Sequence, residues 1–384
     1  MIERVFWAAV GLIGYTYVGF PLLVLVRGAL APRPYRSEPI TPSVSLIIAA
    51  HNEEVAIASK LASLEQLEYP QDRLQVVVAS DGSDDRTEDV VAAHSGRPTT
   101  LLRLPRQGKA YALNAAVDQA TGDILVFTDA NSRLAPDALR RLVAPFADPT
   151  VGGVAGNQVY ASGEGGDRAE GERTYWSFDR LMKQAESRAG NTISATGALY
   201  AVRRSLVDPI PPDVTDDFYT SVGVITRRRR LVFAPGAIAF EAPSKSGRRE
   251  FRRKVRIMTR GLAAVRARRE LLDPRVHGFY SLQLASHKVL RRLMGVPMIV
   301  CAVLAPALWG RGPIYQLATV AQIMFYGCAA AGLLPWRGAR LPMFGIPAFI
   351  CSAVAASMAA TWNTVRGRRI DRWQPTHAGN PSEE

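Results

Sequence analysis

The chain opens on an apolar run, residues 5–28, with no charge before Arg27. About twenty apolar residues in a helix cross a bilayer core, so a membrane anchor is expected over residues 1–30. A cleaved leader is the rival reading. Glu3 and Arg4 cancel at its start, and no small-residue cleavage site precedes the basic flank of Arg27, Arg33 and Arg36, which favours a retained helix. From about residue 43 the pattern changes. SVSLIIAA (43–50), QVVVAS (75–80), TTLLRL (99–104) and DILVFTDA (123–130) are short, β-rich apolar runs, and EVAIASKLASLEQL, TEDVVAAH and KAYALNAAVDQA between them read as helices. Continuous apolar strands alternating with helices predict an α/β domain whose mostly parallel sheet is covered on both faces. Such sheets bind ligands beyond the carboxyl ends of their strands. The polar clusters fall there: HNEE after the first strand, DGSDD after the second, DAN after the fourth.

Beyond residue 285 the chain turns apolar again, with candidate spans at about 293–310, 313–334 and 341–362. Just before them, FYSLQLASHKVLRRL (279–293) mixes apolar residues with His287, Lys288, Arg291 and Arg292 and suits an interfacial amphipathic helix. The expected plan is an anchor over 1–30, a catalytic-type domain over 43–275, an interfacial helix with membrane segments over 279–363, and a basic polar tail over 364–384.

Charge sharpens this plan. Of the 384 residues, 47 are Lys or Arg and 34 are Asp or Glu, a formal charge of +13. The cations sit in runs, at 227–230, 248–256, 266–269, 291–292 and 366–369, several beside apolar segments. That is the pattern of a cytoplasmic membrane face. The absence of zinc-finger spacing and of aromatic-interleaved basic strands argues against nucleic acid. A conflict follows. If residues 43–275 are cytoplasmic, three further spans put the tail outside, yet VRGRRIDRW (365–373) is basic and belongs inside. One of the four segments is therefore expected to be re-entrant or interfacial. The three cysteines, Cys301, Cys328 and Cys351, lie inside apolar runs with no CxxC and read as small hydrophobes.

The polar clusters carry candidate chemistry. Asp81 ends the second strand, where a carboxylate can accept hydrogen bonds from a base or ribose, while Asp84 or Asp85 can cap the helix near Thr87. Gly108 and Lys109 stand at a helix start, suited to a phosphate, without the spacing of a P-loop. Asp129 supplies a carboxylate and Asn131 an amide oxygen, ligands that suit Mg²⁺ or Mn²⁺ completed by substrate phosphates. Asn131 also fits a cap for the helix that follows. Asp216 and Asp217 are adjacent, and on an extended segment only one would face a site. Either could serve as a general base. Arg253, Arg256 and Arg260 share one side of a helix and could clamp phosphates.

In order, AHNEE, ASDGSDDRT, RQGKAYALN, TDANS, ATGALYAVRR, TDDF and RRKVRI resemble the inverting family-2 glycosyltransferases, in particular their membrane-anchored bacterial branch. The match spans about 45–260. The resemblance implies a GT-A catalytic domain and a nucleotide-diphosphate sugar donor, usually a uridine one. It implies a saccharide or lipid-linked acceptor and a divalent cation. Ala49, Asn52, Glu53 and Asp81 would match nucleoside-binding positions, and Lys109 the basic residue near the diphosphate. Asp129 and Asn131 match the first and last positions of the metal-binding DxD. Asp217 matches the general base, Gly197 and Asp216 would line the acceptor or sugar pocket, and Arg253 and Arg256 fall in the QxxRW region. Two departures stand out. Arg253 replaces the Gln and Ile257 the Trp of QxxRW, which argues against cellulose-type processivity, and Asn131 replaces an Asp. A non-catalytic scaffold is the contrasting class, disfavoured because a scaffold has no use for both Asp129 and Asp217.

Overall fold

A computed structural model describes residues 1–160, 168–241, 247–334 and 341–368, with side chains from 178 and 251 onward in the second and third segments. Helix α1 (Ile2–Gly14), a π-helical turn (Tyr15–Gly19) and α2 (Phe20–Leu30) make one apolar rod of 29 residues, long enough to cross a membrane. The α/β domain follows as β1 (Val44–Ala50), α3 (Glu54–Glu65), β2 (Leu74–Asp81), α4 (Thr87–Ala92), β3 (Thr99–Leu104), α5 (Lys109–Asp118), β4 (Ile124–Phe127), β5 (Arg133–Leu134) and α6 (Ala138–Val143). It continues with β6 (Val151–Tyr160), α7 (Arg168–Ala189), β7 (Tyr200–Arg203), α8 (Asp216–Thr226), β8 (Arg230–Glu241) and α9 (Gly247–Ala267). The chain then runs through α10 (Pro274–His277), α11 (Phe279–Leu284), a π-helical turn (Ala285–Leu290), α12 (Arg291–Leu293), α13 (Gly295–Ala307), α14 (Pro313–Leu333) and α15 (Pro342–Val365).

The eight strands form one sheet in the order β3-β2-β1-β4-β7-β6-β8-β5. The first four are parallel, as expected. The other half is mixed: β7 runs antiparallel to both β4 and β6, β8 is parallel to β6, and β5 is antiparallel to β8. This half is hard to read from its residues. Its long strand VGGVAGNQVY is rich in glycine, and its register against β8 shifts between Val151 and Gly153 and again between Ala155 and Asn157, which breaks the two-residue period.

Side-chain alternation divides the core. Leu46, Ile48, Val76, Val78 and Val126 face Ile57, Leu61, Leu139 and Leu142 of α3 and α6. Ile47, Val77, Leu125 and Phe127 face Ala112 and Leu113 of α5 and Val222 and Val224 of α8. Both faces are covered, which leaves the carboxyl ends of the parallel strands β1, β2, β3 and β4 as a free edge.

The apolar helices are joined to this domain. Phe20 and Val24 pack on Met182 and Ala185, and a Cβ at Gly28 would stand 2.8 Å from the Ala185 carbonyl oxygen. Phe6 and Ala9 pack on Cys301, Ala305 and Tyr315. The stretch 279–293, expected to lie in the lipid interface, is docked on the domain. Tyr280 O–H donates to Ile193 O at 2.9 Å, Gln283 Nε2 to Asn191 O at 2.9 Å, and His287 Nδ1 lies 2.9 Å from Glu186 Oε1. It meets α13 at a 50° bend, and α14 and α15 are each long and apolar enough to cross a membrane. Of the basic tail, residues 369–384 lie outside the described residues.

Candidate active site

The site gathers at the free edge of the sheet. Gly82 has φ +60°, and a Cβ there would come 2.8 Å from Arg106 N, so the turns after β2 and before α5 pack back to back. Asp81 ties them. Its Oδ1 accepts the backbone N–H of Gln107 at 2.8 Å and of Gly108 at 2.9 Å. Those two amides, at the helix start where a phosphate was expected, are occupied by a side-chain carboxylate. A base or ribose would have to share oxygens that already accept two backbone hydrogen bonds. Asn52 sits nearby at φ 53°, its Oδ1 accepting Asp84 N–H at 2.8 Å. Glu53 is buried, and its N–H donates to Thr87 Oγ1 at 2.8 Å. Ala49 is buried near the end of β1. Asp85, one of the two expected caps of α4, accepts the Thr87 N–H at 3.0 Å.

Lys109 opens α5, and Gly108, at φ 105°, precedes it. Its ammonium lies 2.7 Å from Asp129 Oδ1 and 3.0 Å from Asp216 Oδ2. The two carboxylates hold the lysine protonated, well above its ordinary range, against the opposing effect of burial. Burial acts to raise the Asp129 carboxyl, but Lys109, Lys60 and Arg253 outweigh it and keep that carboxyl below the usual range. Gly197 stands over the other oxygen: a Cβ there would lie 2.7 Å from Asp129 Oδ2. The Asp129 N–H donates to Gly197 O at 3.1 Å. Glycine at 197 therefore keeps open the space beside that carboxylate oxygen.

Asp216 and Asp217 are not on an extended segment, as expected from their neighbours. They are the first two residues of α8, after Thr215 at the N-cap, about 100° apart around the axis. Asp216 turns to Lys109, and Asp217 accepts the Phe218 N–H at 2.7 Å. Burial, then the charge of Asp216, pushes Asp217 up to about 6, with Lys109 opposing.

Asn131 does not cap the following helix. Residues 133–134 form β5 against β8, and Asp137 holds the N-cap of α6. The side chain of Asn131 instead hydrogen-bonds Glu241, the last residue of β8. Gln158 also donates to Glu241. Burial first, then the Asp129 charge, pushes Glu241 up to about 7. Lys60 is fully buried and donates to Thr128 Oγ1 at 2.5 Å and to Ser132 O at 2.7 Å. Burial draws it down to about 7, against the pull of Asp129 and Glu241. Sequence reasoning missed both residues, although each left a signal. Lys60 sits on the apolar face of α3 between Ile57 and Leu61, and Glu241 ends an apolar strand on an acid, as the DILVFT run does at Asp129.

Arg253 acts electrostatically on both Asp129 and Glu241. Arg256 is drawn down by burial and by Arg260 and Arg253. Arg260, the third member of that face, donates through Nε and Nη2 to Val214 O at 3.0 and 2.6 Å and so fastens α9 to the segment before α8. Ile257, where QxxRW has its aromatic residue, is exposed.

A divalent cation is implied by the resemblance. Among the described residues no group of three or more His, Cys, Asp or Glu could hold one unaided. One carboxylate, one amide oxygen and the clear space under Gly197 do fit a hard cation whose shell is completed by substrate phosphates. Asp129 and Asn131 would hold it.

A half-parallel sheet with carboxylates and cations converging on its free edge defines a GT-A glycosyltransferase fold. Residues 45–210 match the model of Glycosyl transferase family 2. The chain is 30% identical over 215 residues to the beta-monoglucosyldiacylglycerol synthase of Trichormus variabilis, covering 54% of this chain and 46% of that protein. It is 30% identical over 230 residues to the N-acetylglucosaminyltransferase of Rhizobium meliloti, covering 55% and 53%. The chain thus spans about half the length of the curated relatives it matches. Among solved structures, a mannosyltransferase from Pyrobaculum calidifontis in complex with GDP-Man and Mn²⁺ is 27% identical. That likeness covers 96% of this chain and 100% of that one with a TM-score of 0.72.

Proposed function

We propose that the protein is an inverting glycosyltransferase. It moves a sugar from a nucleotide-diphosphate donor to a hydroxyl of a growing cell-surface saccharide or its lipid-linked intermediate. The observation that carries this reading is the Lys109 bridge between Asp129 and Asp216, with Asp217 beside it, held up to about 6. A carboxylate poised near neutral pH is suited to take a proton from an attacking hydroxyl. Asp217 takes that role, and a single in-line displacement at the anomeric carbon inverts it without a covalent nucleophile. Lys109, Arg253 and Arg256 offset the charge that develops on the departing diphosphate. When bound, Mg²⁺ or Mn²⁺ acts there as a further Lewis acid. Ala49, Asn52, Glu53 and Asp81 line the nucleoside end, and Gly197 the sugar. The resemblance favours a uridine donor, whereas the Pyrobaculum calidifontis neighbour was solved with GDP-Man, so the donor panel must include both bases. The protein resides in the cytoplasmic membrane with its catalytic domain on the cytoplasmic side.

A glycerolipid or polyprenyl phosphate acceptor is the second reading. It is favoured by the seating of α9, which carries Arg253 and Arg256, against the apolar α15: Lys254 Nζ lies 4.4 Å from the centre of the Phe349 ring. A donor-hydrolysis and transfer assay on the wild type and Asp217→Asn tests the enzyme. Transfer is expected to fall at least about a hundredfold in the variant, and equal activity in the two proteins removes the base assignment.

A further inference from the structure

Helix α15 has the length and apolarity of a membrane span, but its neighbours are those of a helix lying flat. We propose that α15 rests along the bilayer surface beneath α9, with its outer face in the acyl–headgroup boundary, and that the C-terminal tail emerges on the side of the catalytic domain.

The hairpin of α13 and α14 sets the depth scale. These helices run antiparallel from the turn at 309–312, and Gln322 Nε2 donates across them to Cys301 O at 3.4 Å. Six residues further along each strand of the hairpin, Gly295 stands level with Cys328. Gly332 lies about 6 Å nearer the catalytic domain at the helical rise. Both positions touch α15. A Cβ at Gly332 would collide with Phe344 O and come 2.9 Å from Ala348 Cβ. A Cβ at Gly295 would meet the side chain of Met358 and stand 3.3 Å from Val354 Cγ1. Between Ala348 and Met358, about 15 Å of helix passes while the level changes by only about 6 Å. A span parallel to α14 would descend the full length.

The remaining contacts agree. Ser357 Oγ donates to Met258 Sδ of α9 at 3.3 Å, and Phe349 takes Lys254 on its ring. Both partners belong to the catalytic domain. At the far end of the hairpin, the buried cluster of Phe6, Ala9, Cys301, Ala305, Leu308 and Tyr315 contains no residue of α15. On the C-terminal half of α15 an apolar side stays open, with Trp362 55% and Val365 75% exposed. A bilayer boundary covers such a face. Arg366 stacks over the Trp362 ring at 4.4 Å, an aromatic–cation pair of the kind enriched at membrane surfaces. The arrangement also removes the charge conflict. Three crossings remain (2–30, the bent pair entering the bilayer through α13, and 313–333), and Arg366 and Arg368, which open the basic run, return to the side of Arg27, Arg33 and Arg36.

The test uses the full chain with Cys301, Cys328 and Cys351 replaced by Ala and a single cysteine restored by Asp72→Cys, Arg311→Cys or Glu383→Cys. In sealed vesicles an impermeant maleimide is expected to label positions 72 and 383 from one side and 311 from the other. Labelling of 383 together with 311 overturns the proposal. Spin labels at 346, 358 and 362 are expected to report depths within about 10 Å of one another, against more than about 20 Å for a crossing helix. A progressive fall toward the bilayer centre overturns it even if the tail labels with the domain. Should the cysteine-free chain fail to fold, a C-terminal fluorescent or alkaline phosphatase fusion on the native-cysteine chain reads the side of the tail directly, with the same two outcomes.

Discussion

The ammonium of Lys109 lies 2.7 Å from Asp129 Oδ1, and the same ammonium reaches Asp216 at 3.0 Å. One side chain therefore couples the end of the parallel half-sheet to the first turn of α8. Lys109→Met leaves two partly buried carboxylates, with Asp217 beside them, short of a counter-charge. Loss of one partner from such a network is costly. The Tm in detergent is expected to drop by on the order of 5 °C, and transfer activity by at least about a hundredfold. Lys109→Arg should recover stability more than activity, because a planar fork cannot sit between both carboxylates as a compact ammonium does.

Asp217 works as a base only when ionised, and burial with Asp216 places its midpoint at about 6. The pH profile of kcat/KM should fall tenfold per unit below about pH 6 and level off above it. Asp216→Asn removes a neighbouring negative charge and should move that midpoint down. A midpoint unmoved by the substitution would count against the electrostatic account.

Gly197 leaves room beside Asp129 Oδ2 that a methyl group would fill at 2.7 Å. Gly197→Ala should weaken Mn²⁺ binding about tenfold or more in an electron paramagnetic titration, with the melting temperature little changed. In the wild type, EDTA should abolish transfer and Mn²⁺ restore it. Full activity in chelator would overturn the reading of Asp129.

Glu241 titrates at about 7 in the folded chain, above the ordinary carboxyl value of 4.5. Its neutral form is favoured by folding, so the stability it contributes is fully present below pH 4.5 and is lost as pH rises through about 7. Glu241→Gln should flatten the melting temperature over that window. Asn131→Asp would set another carboxylate against Glu241 and Asp129 and should lower the melting temperature. The double variant Asn131→Asp/Glu241→Gln should recover part of that loss, since it again leaves a single acid in the pair.

The parallel strands and their edge motifs were legible because continuous apolar runs and polar ends leave a local pattern. Lys109, Asp129, Asn131, Asp216, Asp217 and Gly197 were all marked as site residues, and the fold brings all six and Arg253 onto one edge. The antiparallel half was not legible. Glycines and register shifts erase its period, and a two-residue strand such as β5 exists only through its pairing with Phe240 and Ala239. The ties of Asn131 to Glu241 and of Lys60 to Ser132 span 110 and 72 residues along the chain, and no local pattern encodes such distant partners.

Gly28 presses its backbone against Ala185 where a side chain would not fit, and Arg27 stacks over Phe279 at 4.4 Å. The first apolar helix is thus bolted to α7 of the catalytic domain and to the 279–293 segment docked on that domain, instead of trailing on a tether. Under the proposed function, the reaction centre then stands at a set height above the lipid. An acceptor too short to rise to that height is refused by reach alone, whatever the shape of its sugars.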